Sequence, residues 1–273
     1  MRPSRIQSLK RTLSTYAPPV FWAVRESRKL IHQHRNKRIQ DELTPWKSFF
    51  TQEFGFAVQG GPFKGMTFHD SSPQDTYLPL LVGCYESQTH VFIESALARK
   101  PSIIVDVGCE AGYVAVGFAL RAPSIPVYGF DIEPRARAKC RALAEINRVA
   151  DRVVVEDACS PERLQSLCDG RPLVFSDCEG YELDLLDPDK VPGLKQADII
   201  VELHDFLRID VDITPTILGR FSSTHDISMA GLTRRSSVDF PCLAVLPEHV
   251  RASAMHEDRI PYQQWAFLKS KTR

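Results

Sequence analysis

From residue 102 onward the chain alternates short apolar runs with longer amphipathic ones, and this alternation limits its possible folds more than any other feature. "SIIVDV" is followed by "YVAVGFALR", "PVYGFDI" by "PRARAKCRALAEINR", "RVVVED" by "PERLQSL", "PLVFSD" by "YELDLLDP", and "ADIIVEL" by "ITPTILGRF". A strand buried on both faces is apolar along its whole length, and two such strands can run parallel only if a crossover segment joins them. The pattern therefore predicts a doubly wound α/β fold, a mostly parallel sheet with helices on both faces. Two later runs, "THDISMA" and "CLAVLP", are expected to supply the last strands.

About 100 residues precede this region. "YAPPVFWAVRESRKLIHQHR" predicts a short helix entered at Pro18 and Pro19, with Val20, Phe21, Val24 and Ile31 as its apolar stripe and Arg25, Arg28 and Lys29 around it. "FGFAVQGGPFKGMTF" predicts a hairpin turning at Gly60-Gly61-Pro62, with Phe54, Phe56 and Val58 alternating. "YLPLLVGCYESQTHVFIESAL" has helical spacing with breaks expected at Pro79 and Gly83. The expected divisions are a basic arm (1–45), a lid or cap segment (46–100) and the α/β domain (101–273).

The charge is zero overall but uneven. Residues 1–40 carry ten Lys or Arg against Glu26 alone, which leaves 24 bases and 33 acids for the rest. The acidic body argues against nucleic acid as a substrate. The basic arm suits either a solvated segment or a peripheral contact with an anionic membrane surface. The seven cysteines are scattered with no CxxC pair, which fits a reducing, cytoplasmic setting and neither a disulfide framework nor a zinc site. No apolar run approaches the ~20 residues of a spanning helix. Nothing in the sequence sets the oligomeric state.

Ligands of open α/β sheets bind beyond the carboxyl ends of the strands, so the residues standing there carry the functional information. The first strand ends "DVGCEAG". Gly108 and Gly112 permit a tight turn and close approach of a ligand to the backbone. The spacing G-x-x-x-G departs from the G-x-G-x-x-G of a dinucleotide loop, and Asp106 and Glu110 would repel a pyrophosphate. A cationic ligand is favoured instead. At the second strand end, in "FDIEP", Asp131 can accept hydrogen bonds from vicinal ribose hydroxyls. At the third, "VVVED" places Asp157 within reach of an adenine edge. A nucleoside with a cationic tail and no phosphate describes S-adenosylmethionine. Each of these acids alone could be a helix N-cap, but capping does not explain three in this order.

With these motifs the sequence resembles the class I S-adenosylmethionine-dependent methyltransferases over roughly residues 100–247. Asp177, Glu179, Gly180 and Glu182, followed by "ADIIVELHDF", resemble the FkbM-type branch of that group, and "GPFKGM", "GCYESQ" and "RFSSTHDI" resemble an uncharacterised bacterial part of it. The resemblance implies a Rossmann-like seven-stranded methyltransferase sheet whose last strand is antiparallel, behind an N-terminal helical and hairpin extension. It also implies methylation, often of oxygen on sugars or secondary metabolites, so the expected acceptor is a small molecule or saccharide.

A hydroxyl acceptor must lose a proton, and Asp177, Glu179, Glu202, His204 and Asp205 gather at two adjacent strand ends. Of these, Asp177, Glu179 and His204 are the expected catalytic residues, with His204 titrating nearest to neutrality. The same carboxylates and imidazole could hold magnesium or manganese. Cys178 reads as a small buried hydrophobe and His225 as structural. A nicotinamide-dependent oxidoreductase and a non-catalytic interaction module of the same fold are the rival readings.

Overall fold

The computed structural model describes residues 18–68, 77–205, 211–231, 234–257 and 263–272; the side chains of 18–30, 32 and 33 are not among the described ones. Arg2, Arg5, Lys10 and Arg11 therefore lie outside the described residues, as do the side chains of Val20, Phe21, Val24, Arg25, Arg28 and Lys29.

The short helix expected after the paired prolines is one long helix, α1 (Pro18–Phe54), which runs without interruption across residue 45. Pro45 lies inside it and removes one backbone donor. Asn36, Leu43 and Phe50 are its buried side chains among those described, seven residues apart, while Ile31 is exposed. A seam this narrow explains why no broad apolar stripe is legible in the segment. It packs against α9 (Glu248–Ala254), and Asn36 Oδ1 meets His256 Nε2 at 3.2 Å.

The predicted hairpin forms around a single antiparallel bridge, Ala57 to Thr67, with Val58 N donating to Met66 O and Phe68 N to Phe56 O. Phe54 belongs to the end of α1 and not to the hairpin. Asn147 clamps the far edge, accepting from Thr67 N and donating to Thr67 O at 2.9 and 2.8 Å. Helix α2 (Tyr77–Val82) stops at Gly83, where φ is +77°. Pro79 does not break it, because the first turn of a helix leaves its N–H groups without intrahelical partners. Helix α3 (His90–Ala98) follows.

The alternating region forms β1 (Ile104–Val107), α4 (Tyr113–Arg121), β2 (Val127–Phe130), α5 (Pro134–Ile146), β3 (Val153–Glu156), α6 (Pro161–Leu167), β4 (Leu173–Ser176), α7 (Glu182–Leu185), β5 (Asp198–Leu203), α8 (Ile213–Phe221), β6 (His225–Gly231) and β7 (Gln264–Ser270). The strand order is β3-β2-β1-β4-β5-β7-β6. Strands β1 to β5 are parallel, and β7 runs antiparallel between β5 and β6. This is the seven-stranded Rossmann-like methyltransferase sheet expected above, with its antiparallel last strand. "CLAVLP" is not a strand: Pro241–Val245 forms a 3-10 turn, and "QWAFLKS" supplies β7. Prolines at 241 and 247 bracket the first run. The second alternates little because its central residues are buried on both faces.

The sheet separates two apolar layers. Ile104, Leu173 and Phe175 face α4, α5 and the N-terminal segment, while Val105, Val107 and Val174 face α6, α7 and α8. The N-terminal segment shares the first layer. Phe63 stacks edge-on against Tyr113 and Phe118, and a Cβ on Gly117 would sit 2.4 Å from the Phe63 ring. No helix among the described residues is long and apolar enough to cross a membrane.

Candidate active site

Strand order reverses between β1 and β4, and the loops leaving these two strands are pressed together. Gly108 has φ +87°, and a Cβ there would lie 1.8 Å from the Asp177 carbonyl oxygen. Hydrogen bonds hold the contact: Asp177 N to Val107 O, and Gly108 N and Cys109 N to Phe130 O. Gly112, also left-handed, begins α4 and admits Cys140 of α5, whose Sγ would be 2.7 Å from its Cβ. Its glycine serves a turn and a helix contact.

A narrow cleft opens beside this crossing, lined by Glu86, Asp106, Gly108, Glu110 and Asp177 together with aromatic rings including Tyr85. Among the described residues its lining carries four carboxylates and neither Lys nor Arg. Asp106 is 1% exposed, and its Oδ2 has no hydrogen-bond partner among the described residues. Burial, and then the nearby Asp177 charge, push its carboxyl well above the usual range, against the Ala115 N–H. Burial likewise raises Glu110, opposed by Lys139.

Asp131 stands at the next strand end. Its Oδ2 accepts from Glu110 N at 2.9 Å and its Oδ1 from Glu133 N at 2.8 Å, so the carboxylate ties the glycine-bearing loop to the β2 turn. Each oxygen keeps a second lone pair. Asp157 is exposed just past β3 and is not part of the cleft lining.

The expected catalytic residues converge. His204, fully buried after β5, sets Nδ1 2.6 Å from Glu182 Oε1. Its Nε2 faces Asp177 Oδ1 at 3.3 Å, Glu202 Oε2 at 3.6 Å and Glu179 Oε2 at 3.7 Å. Burial by itself would depress the imidazole. Hydrogen bonds to Asp177 and Glu182, and their charges, outweigh that and push it up to about 11. These contacts favour the protonated imidazole, which donates hydrogen bonds to its carboxylate neighbours, in place of the near-neutral titration expected from histidine's ordinary value. Asp205, its neighbour in sequence, is occupied elsewhere: its carboxylate accepts from Thr214 N and Oγ1 at 2.9 and 2.7 Å. His225 Nε2 lies 2.8 Å from Ala197 O and is structural, and burial pushes the Cys178 thiol up.

Strand-end reasoning misses Glu86, which lies in the loop after α2. Its backbone is left-handed (φ +49°), and its N–H donates to Glu257 Oε1 of the buried Glu257–Arg235 ion pair. Its carboxylate comes close to Asp177 and Glu202. Glu110 and Glu179 are left-handed as well, at φ +44° and +53°. A left-handed non-glycine residue costs roughly 1–2 kcal/mol, and glycine's extra unfolded freedom offsets about 0.5–1 of that. Glu179→Gly is therefore expected to stabilise the fold by about 0.5–1 kcal/mol in urea unfolding while removing a site carboxylate. A loss of stability would mean that Glu179 contributes more to the fold than its backbone costs.

No protein-family model matches the chain. Ribosomal protein L11 methyltransferase of Citrifermentans bemidjiense is 26% identical over 205 residues, covering 70% of this chain and 63% of that protein. The chain thus spans less than two thirds of the length of this curated relative. A putative O-methyltransferase of Klebsiella pneumoniae superposes with a TM-score of 0.46 at 12% identity, covering 68% of this chain and 81% of its own. Geranyl diphosphate C-methyltransferase of Streptomyces coelicolor A3(2), solved with Mg2+, geranyl-S-thiolodiphosphate and S-adenosyl-L-homocysteine, gives 0.44 at 13% identity, covering 84% and 96%.

Proposed function

We propose that the chain is a class I S-adenosylmethionine-dependent methyltransferase, acting on a hydroxyl of a small molecule or saccharide. The observation that carries this reading is the cleft at the β1/β4 switch point, whose lining among the described residues has four carboxylates and no Lys or Arg, and which adjoins the Asp131 carboxylate. A dinucleotide's phosphates would be repelled there, whereas a sulfonium and an ammonium would be neutralised. The residues fit such a donor: Asp106 and Glu110 toward its cationic tail, Gly108 and Gly112 in the turn beneath it, Asp131 toward the ribose and Asp157 toward the base. The cleft as it stands has room for a few waters at most, about 40 Å³, so its lining must rearrange to admit a nucleoside.

When bound, S-adenosylmethionine supplies an electrophilic methyl group. The chain's part is alignment, worth on the order of 7–11 kcal/mol in a well-oriented displacement, and removal of the acceptor proton. Asp177 lines the cleft and is placed to take that proton. His204 holds Asp177, and Glu179 stands at the exposed rim. The convergence of Asp177, Glu179 and Glu182 on one histidine supports reading Asp-x-Glu-Gly-x-Glu as a functional unit of the FkbM type.

Calorimetric titration in EDTA tests the donor. Micromolar binding of S-adenosylmethionine and S-adenosylhomocysteine is expected, at least ten-fold weaker in Asp131→Asn, with no binding of NAD. A folded wild type that binds neither sulfur compound would overturn the reading, and binding of NAD in their place would favour a redox enzyme.

A further inference from the structure

The geometry points to a divalent cation site in which Asp177, Glu179 and His204 are the protein ligands, with Glu202 and Glu86 close to the shared Asp177; we propose that it takes a first-row ion of the Mn2+ class. One ligand atom from each of Asp177, Glu179 and His204 lies within 4.8 Å of the others, and the same is true of Glu86, Asp177 and Glu202. The two sets share Asp177.

Three further features single out this cluster. First, it is not merely acidic. Glu182, fully buried, holds Nδ1 of His204, which leaves Nε2 as the nitrogen aimed at Asp177, Glu179 and Glu202. A carboxylate behind a histidine is the usual support for a metal-binding imidazole. Second, the Asp106 side chain is 1% exposed, lines the same cleft as Glu86 and Asp177, and carries an oxygen with no hydrogen-bond partner among the described residues. Glu86, Asp106, Glu182 and Glu202 are all buried here, and so many carboxylates beside a single imidazole are costly unless further positive charge compensates them. Third, an entry path exists, because Glu179 is 73% exposed and Asp177 27%. As a cation enters, the Nε2 proton leaves to solvent and the lone pair becomes the ligand.

Donor chemistry selects the ion. Carboxylates suit Mg2+, Ca2+ and Mn2+, and an imidazole shifts the choice toward first-row transition ions. A softer set is absent at this point, since Cys178 Sγ pairs with Ser176 Oγ at 3.3 Å. Three protein ligands leave coordination positions open toward the cleft.

The test uses the full chain stripped with EDTA and titrated with MnCl2 alone, free Mn2+ being read by electron paramagnetic resonance. No methyl donor is present, so this proposal and the donor reading fail separately. One Mn2+ per chain is expected, with binding weakened at least ten-fold in Glu179→Gln, whose exposed side chain poses no folding risk, and in Asp177→Asn. Asp205→Asn, altering the acid held by Thr214, should bind as wild type does. Mg2+ should displace Mn2+ only at far higher concentration. Absence of stoichiometric binding would overturn the site, as would binding that survives both Glu179→Gln and Asp177→Asn.

Discussion

Gly108→Ala is expected to leave the protein close to unfolded at room temperature. The added Cβ would lie 1.8 Å from the Asp177 carbonyl oxygen and 2.8 Å from its carbon. Relief requires the β1 and β4 loops to separate by more than an ångström. The bonds that would have to stretch are Asp177 N to Val107 O at 2.9 Å, and Gly108 N and Cys109 N to Phe130 O at 2.8 and 2.9 Å. Three such bonds are worth about 1 kcal/mol each net. The left-handed φ adds roughly 1–2 kcal/mol for any residue with a Cβ. The sum, about 4–5 kcal/mol, approaches the whole stability of an ordinary domain, about 5–15 kcal/mol. Urea unfolding followed by circular dichroism measures it. A variant within 1 kcal/mol of wild type would mean that the loops part freely, and that their contact is no fixed feature of the site.

His204 should make stability fall with rising pH, and removing its partner should be costly. Its folded value is pushed up to about 11 from an ordinary 6.5. Between those values the native state keeps a proton that the unfolded chain has released. The stabilisation is complete below about pH 6.5 and is lost progressively as pH rises toward 11, by at most about 1.4 kcal/mol per pH unit. Unfolding in EDTA between pH 7 and 8.5, read as the difference between wild type and His204→Gln, isolates the effect, since the raised Asp106 carboxyl is common to both. Burial pushes His90 and His225 down, so their contribution changes below about 6.5, while the buried cysteines begin to matter near 9. Wild type should lose up to about 2 kcal/mol across that window, and His204→Gln should lose much less. Glu182→Gln, which leaves the imidazolium with a neutral neighbour, is expected to cost about 3 kcal/mol at pH 7. Equal pH slopes in wild type and His204→Gln would show that the histidine is neutral in the folded protein.

The parallel half of the sheet was legible because fully buried strands announce themselves as unbroken apolar runs. Each of the five runs from "SIIVDV" to "ADIIVEL" became a strand of the parallel set. The final antiparallel strand was harder: "CLAVLP" and "QWAFLKS" both contain apolar residues suited to a strand, and only the slot between β5 and β6 distinguishes them. The length of α1 was hidden for a related reason. A helix that buries one residue in seven, at Asn36, Leu43 and Phe50, leaves almost no periodic trace.

The site divides the same way. Asp106, Asp131, Asp177, Glu179 and His204 could be named from the sequence because in a doubly wound sheet the residues at or just past the carboxyl end of each strand lie at the ligand-binding edge. That follows from connectivity and needs no side-chain geometry. What connectivity cannot supply is the environment of each group. Glu86 reaches the cluster from the loop after α2 only because the Glu257–Arg235 pair, some 170 residues further along the chain, pins its backbone. Asp205 and His204 are adjacent in sequence, yet one is held by Thr214 and the other by Glu182. The basicity of His204 likewise comes from the carboxylates packed around it, and a residue's charge state depends on the few ångströms around it, which only the folded chain decides.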